Sequence, residues 1–386
     1  MRMKKQCRVS LFPLMLLLLL FALASCSNDG DSGGGGKDET EKTSEKLVIV
    51  FHLPAGLGDN SYTDILAYGI HKAAFENNLL VYDVSPDDWD DAQVKIQKVF
   101  SSYRELIGAE ENADIPVLFV FASESYLPVL ESDEIAESIA ASTEPFTYLL
   151  FESEETEVPY LSTVYMPLYG ASYLAGTAAK TLLSEKENPR VISLLANDFM
   201  QPLIDALNGF SVGYGSSGST SYIYNYFTTT AEEVEEMRNA TFVAESINGE
   251  ADTTGFNSEE TAYKIAYNNS FNTFDLYFPI CGGSIHGLLR YNREQGASSF
   301  YTVGMDSDMS AYSPQVPFSV VKRVDKAAEK CIAQWLAEGK IEHYQRLGLG
   351  EGYTELVVSE GYESLSAVVQ EHLSEAIEKE QAYYEN

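Results

Sequence analysis

From residue 46 onward, short apolar runs alternate with longer amphipathic segments, and that rhythm leaves few folds open. KLVIVF (46–51) is nearly continuous in apolar residues and is closed by Pro54 and glycines. Such a run suits a parallel strand buried on both faces. After it, Ile65, Ala67, Ile70, Ala73 and Ala74 recur at roughly helical spacing. Strand runs follow at 79–84, 117–121, 147–151, 191–195, 241–243, 276–280 and 300–304, and helical segments at 90–107, 173–183, 204–214 and 258–268 stand among them. Acids fill the first turn of the 90–107 segment, where the helix dipole favours them. This alternation predicts an α/β fold with parallel sheets. Two such sets in 386 residues predict two doubly wound, Rossmann-like lobes. Ligands of such sheets bind beyond the carboxyl ends of the strands. The acid-rich amphipathic segment 365–384 reads as a packing helix.

The N-terminus has a different character. Arg2, Lys4, Lys5 and Arg8 precede an apolar run over 11–24 that ends in small residues. The run is short for a membrane span and reads as a secretory signal over 1–25. Leu23-Ala24-Ser25-Cys26 resembles a bacterial lipobox. Acylation of Cys26 would anchor the chain without spanning the bilayer. The plainer alternative is an ordinary signal with a chance cysteine. Residues 26–45 are polar and glycine-rich and read as a flexible tether. Asp29 and Asp31 resemble a surface-export signal of some Gram-negative bacteria. The expected location is the bacterial cell envelope, lipid-anchored, in the periplasm or on the outer-membrane surface.

The formal charge is −33, and loss of the four bases of the signal takes it to −37. That balance argues against nucleic acid as a partner. Of four cysteines, Cys7 leaves with the signal and Cys26 would be lipidated. Cys281 and Cys331 remain, as two free buried thiols or, alternatively, a disulfide. The five histidines are scattered and no C-x-x-C pattern occurs, so neither metal nor cofactor is expected.

Three strand-end segments could carry chemistry. They are GLGDNSYTD (56–64), ICGGSIHG (280–287) and GMDSD (304–308). Glycines let backbone amides approach a ligand. Carboxylates accept hydrogen bonds from ligand hydroxyls, and an aromatic stacks on a ring. Each segment also has a plain reading as a turn or a helix cap. Their position at successive strand ends favours a shared cleft.

These residues resemble the basic membrane protein family of bacterial substrate-binding lipoproteins, whose best understood members bind purine nucleosides. Gly56, Asp59, Ser61, Tyr62 and Gly69 fit the family's opening motif. The segments 173–179 (YLAGTAA), 209–213 (GFSVG), 281–283 (CGG), 304–308 (GMDSD) and 319–325 (SVVKRVD) follow in the family's order. Coverage runs from about residue 47 to about 335. The resemblance implies a type I periplasmic-binding-protein fold with three crossovers. Lobe I would comprise 46–155 plus about 309–345, and lobe II 156–308 plus about 346–386. Tyr62 would stack on a base, with Phe199 as the second aromatic of the sandwich. Asp306 and Lys322 would hold ribose hydroxyls, with Asp308 nearby. Asp59 would fix the first loop, and Gly282 is a further ligand-binding candidate. His286 and Tyr126 are further polar candidates.

Thr63 stands where the family carries an asparagine that reads the base edge, and Asp64 where glutamine is common. A hydroxyl cannot reproduce the donor and acceptor of an amide. A purine fitted to the asparagine would lose a buried hydrogen bond, at about 1–3 kcal/mol. The expected function is therefore a non-enzymatic receptor for a nucleoside-like small molecule, delivering it to an ABC permease. Two alternatives stand beside it. One is a surface or sensory lipoprotein without transport. The other is a nucleoside or glycoside hydrolase using Asp59 and Asp306 as a carboxylate pair.

Overall fold

The computed structural model describes residues 46–54, 56–58, 61–106, 115–142, 144–154, 156–216, 223–248, 255–269, 274–295 and 300–385. The expected signal, Cys26, the expected tether and Asp59 lie outside them.

The first lobe opens with β1 (Leu47–Phe51), α1 (Tyr62–Glu76), β2 (Leu80–Val84), α2 (Trp89–Leu106) and β3 (Val117–Phe121). The short helices α3 (Leu127–Leu130) and α4 (Asp133–Ala141) lead to β4 (Phe146–Phe151) and β5 (Leu161–Tyr165). β1 and β3 are buried at every residue, as strands covered on both faces must be. β1 lies between β2 and β3, with Phe51 opposite both Val84 and Phe121. The strands therefore end together, and the order reverses between β1 and β3. That reversal is where doubly wound sheets bind ligands.

The second lobe runs through α5 (Tyr169–Leu182), β6 (Val191–Leu195), α6 (Gln201–Tyr214), β7 (Tyr224–Asn225) and α7 (Ala231–Asn239). It continues with β8 (Phe242–Ser246), α8 (Glu259–Asn269), β9 (Leu276–Ile280), α9 (Ile285–Glu294) and β10 (Tyr301–Thr302). Its five-stranded sheet has the order β10-β9-β6-β8-β7. The reversal here lies between β6 and β9.

β11 (Gly304–Asp306) and β12 (Phe318–Lys322) pair in parallel in a third sheet. Met305, Phe318 and Val320 bury in the core that holds Leu195 and Ile280. The chain then crosses over. α10 (Val324–Glu338) packs Ala327, Cys331 and Trp335 with Leu66 and Ile70 of α1. Gly69 makes this contact close, since a Cβ there would lie 2.5 Å from the Asp325 Cα. β13 (Tyr344–Arg346) completes the first sheet beside β5. β14 (Thr354–Val358) returns as the antiparallel partner of β12, and α11 (Ser364–Glu385) buries Leu365, Val369 and Ala376 in the second core.

The chain thus passes between lobes three times, after β5, β12 and β13. The segment limits differ from those expected at residues 155 and about 309. β5 belongs to the first sheet and β12 to the second core, because pairing partners rather than the apolar run itself decide the lobe. Cys281 and Cys331 are free and buried. They sit in different cores, which is why they form no disulfide.

Two features tighten the second lobe and its junctions with the first. α5 and α6 pack backbone to backbone, and a Cβ on Gly213 would lie 2.0 Å from the Tyr173 carbonyl oxygen. The 173–179 and 209–213 motifs are the two sides of that crossing. α11 supplies the second feature. Asp205 of α6 is fully buried. Its Oδ2 accepts from the hydroxyls of Tyr165 (2.6 Å) and Tyr384 (2.7 Å). Its Oδ1 accepts from Gln201 Nε2 (2.6 Å) and the Tyr383 hydroxyl (2.9 Å). Glu380, also buried, accepts from the backbone N–H groups of Gly170 (2.7 Å) and Leu349 (2.8 Å). The end of α11 is therefore bonded to the segments flanking the first and third crossovers.

Candidate functional site

The loop after β1 is folded back on α1. The Asp64 carboxylate accepts from the Gly58 N–H at 2.8 Å. Asp59, expected from the sequence to fix this loop, lies outside the described residues. Ser61 occupies the N-cap of α1. Its hydroxyl nevertheless donates to Asp306 Oδ2 at 2.6 Å, a contact between residues 245 apart in sequence. Asp306 closes β11 and is only 8% exposed. It brings the first and third strand-end segments together.

Tyr62 begins α1, and its hydroxyl donates to the Ala122 carbonyl at 2.7 Å, just beyond β3. The ring is thereby pinned across the β1/β3 reversal. Lys322, at the end of β12, holds its ammonium 5.6 Å from the ring centroid, within the range of a cation–π contact. The same ammonium donates to Glu152 Oε2 at 2.7 Å. Glu152 follows β4 and belongs to the first lobe, so this pair also joins the two lobes.

Lys322 and Glu152 are both nearly sealed, at 5% and 7% exposure. Burial raises the Glu152 pKa above the usual carboxylate range, with Lys322 opposing that rise. Its second oxygen, Oε1, is buried and finds no hydrogen-bond partner among the described residues. Glu152 and Asp306 also have left-handed backbones, at φ +58° and +65°. Such conformations in non-glycine residues cost about 1–3 kcal/mol each and concentrate at functional sites. Glu124, just past β3, is pushed up to about 7 by burial first, then by the charges of Glu152, Asp205 and Glu154, with Lys322 opposing.

The other expected residues have the following local settings. Thr63 is buried (1% exposed), and a Cβ on Gly56 would lie 2.9 Å from its Oγ1. Its hydroxyl is packed beneath the loop. Asp308 is exposed and its carboxylate accepts from the Ser310 N–H at 3.0 Å, a local turn. Gly282, at φ +50°, begins a one-turn 3-10 helix after β9. Phe199 follows β6 and is 65% exposed. Asn197 Oδ1 holds that loop by accepting from the N–H groups of Phe199 (3.3 Å) and Met200 (3.0 Å). Tyr126 is fully buried and donates to the His52 carbonyl at 2.5 Å, a core role. The His286 ring stands edge-on to Tyr312 at 5.4 Å.

Sequence reasoning missed Glu152, Glu124 and Asp205. A lone acid after an apolar strand gives no pattern, although a Phe-Glu-Ser strand end was available as a signal for Glu152. What the geometry supplies is a set of hydrogen-bond acceptors beside an aromatic ring, with the Lys322 ammonium already paired.

The profile of the family described as "ABC transporter substrate-binding protein PnrA-like" matches residues 46–386. No curated protein sequence matches the chain. Among solved structures, an ABC transporter solute-binding protein from Aeropyrum pernix K1 is 17% identical, covering 87% of this chain and 90% of its own, with a TM-score of 0.61. A transcriptional activator of the comK gene from Bacillus halodurans is 10% identical over 85% of this chain and 96% of its own, TM-score 0.57. GanP, a glucose-galactose binding protein from Geobacillus stearothermophilus, is 14% identical over 82% and 98%, TM-score 0.52. At these identities the likeness is one of fold, and the fold is that of type I periplasmic binding proteins.

Proposed function

This chain belongs to the PnrA-like family of ABC transporter substrate-binding proteins, and from that premise we propose that it is a lipid-anchored receptor for a nucleoside-like solute. The solute would lie between the lobes, against Tyr62 on one side and near Phe199 and Gly282 on the other. Asp306 and Lys322 would meet its hydroxyls, and closure of the lobes would present it to a membrane permease. Cys26 would carry the lipid that keeps the receptor at the envelope.

The observation that carries this reading is the Ser61–Asp306 bond of 2.6 Å. It joins the start of α1 to the end of β11, residues 245 apart in sequence, and so supports a shared site for the strand-end segments. Hinge closure about such a place is the standard motion of this architecture. The set of acceptors suits a polyhydroxyl ligand, and the pinned Tyr62 ring suits a planar one.

Thermal melting against a panel of nucleosides, free bases and free sugars tests it. A ligand at a hundred times its dissociation constant should add about 2.7 kcal/mol of stability. Stabilisation by nucleosides alone supports the reading. Stabilisation by free sugars alone replaces the nucleoside, and no shift with any solute removes the small-molecule reading.

A further inference from the structure

The charges at the candidate site are unevenly matched. Lys322 is held by Glu152 at 2.7 Å and lies over the Tyr62 ring, so its ammonium is engaged before any ligand arrives. Glu124, Glu152 and Asp306 stand around it. Asp205, close enough to act on Glu124, is saturated by four donors of its own. Glu152 is the informative member. It is more than nine-tenths buried, one oxygen is taken by Lys322, and the other has no partner among the described residues. A buried acceptor without a donor is costly to the fold. A group that brings N–H donors and positive charge would satisfy it and reduce the local excess of carboxylates. A phosphate would bring acceptors and further negative charge to a place that already has both.

We propose that Glu124 and Glu152 form a subsite for a protonated amine of the ligand, so that the solute is an amine-bearing ring compound rather than a phosphorylated one. This rests on the solute-receptor reading above and narrows it. Glu124 opens the turn after β3, beside the reversal that Tyr62 spans, and is the more accessible of the two acids. Glu152 follows the neighbouring strand β4 and is more deeply buried. An ammonium has three donors, enough for both carboxylates. The charged groups acting on Glu124 are Glu152 after β4, Glu154 beyond it, Lys322 of β12 and Asp205 of α6. Their balance keeps the Glu124 carboxyl partly protonated near neutrality, so a bound ammonium would expel that proton.

Calorimetry with matched probes tests this. The probes are a ribonucleoside, its 3′-amino-3′-deoxy and 5′-amino-5′-deoxy analogues, and its 5′-monophosphate. Titrations at pH 6.5 in two buffers of different ionisation enthalpy report proton release. At least one amine should bind ten-fold or more tighter than its hydroxyl parent and release protons, and the monophosphate should bind at least ten-fold more weakly. In Glu124→Gln the ratio of amine to parent affinity should collapse toward one and proton release should disappear, with a thermal melt confirming that the variant folds. If the parent binds and neither amine is preferred, the inference is overturned while the receptor reading stands. The same holds if the preference survives in Glu124→Gln. If no probe binds, the receptor reading fails and the inference falls with it.

Discussion

Replacing Lys322 by Met tests the structural role of the Lys322–Glu152 pair. The substitution keeps the aliphatic stem and removes the charge. It leaves Glu152, 7% exposed, with neither of its oxygens partnered by Lys322. Breaking one side of a buried ion pair costs about 3–5 kcal/mol. For a chain of this size, at about 2 °C per kcal/mol, the melting temperature should fall by roughly 6–10 °C. Replacing both partners, as in Lys322→Met with Glu152→Leu, removes the stranded charge and should recover most of that loss. The single variant should also respond differently to pH. Burial already raises the Glu152 pKa, and Lys322 restrains the rise. Without Lys322 the folded-state pKa climbs further above the unfolded value. The native state then holds a proton that the unfolded chain has released, so stability falls as pH rises from about 4.5. Urea denaturation of the wild type and both variants at pH 5 and pH 8 measures this. A single-variant loss below about 1 kcal/mol, or a double variant no more stable than the single, would refute the reasoning.

Gly213→Ala forces a methyl against the Tyr173 carbonyl, where a Cβ would lie at 2.0 Å, and should cost about 1–3 kcal/mol or more by parting α5 from α6; urea midpoints check it. Glu245 is buried in β8 with its pKa raised to about 8 by burial alone. Stability should therefore fall as pH climbs from about 4.5 to 8, and Glu245→Gln should flatten that part of the curve in thermal melts. The Cys281 and Cys331 thiols are buried and free, and burial is the leading cause that raises both pKa values, Cys331 to about 12. Ellman's reagent at pH 8 should find neither in the native 46–386 chain and both in guanidinium; rapid native labelling of either would contradict the packing.

The sheets were legible because parallel strands buried on both faces leave runs such as LVIVF and VLFVF, which no other element explains as well. The approach of GMDSD to GLGDNSYTD was legible only as a pattern of strand ends. That Ser61, rather than a glycine amide, meets Asp306 needed coordinates. The YLAG and GFSVG segments were recognisable as motifs, but the physical reason for them, two helix backbones in contact, appears only when α5 and α6 are seen together. Glu152 escaped notice because its partner lies 170 residues away. Tyr383 and Tyr384 were read as packing residues because helical periodicity describes a face and says nothing of a hydroxyl. The lobe limits shifted because a strand's sheet is chosen by its neighbours in space.

The tyrosine and glutamate contacts of α11 bear on how the molecule is made. A ribosome delivers β5 and α6 long before residues 380–384. Both sheets can be complete, with their cores closed, while Asp205 still awaits two of its four donors and the Gly170 and Leu349 amides await Glu380. The bonds that tie Tyr165, Asp205, Gly170 and Leu349 to α11 thus form only after the elements they join have been made.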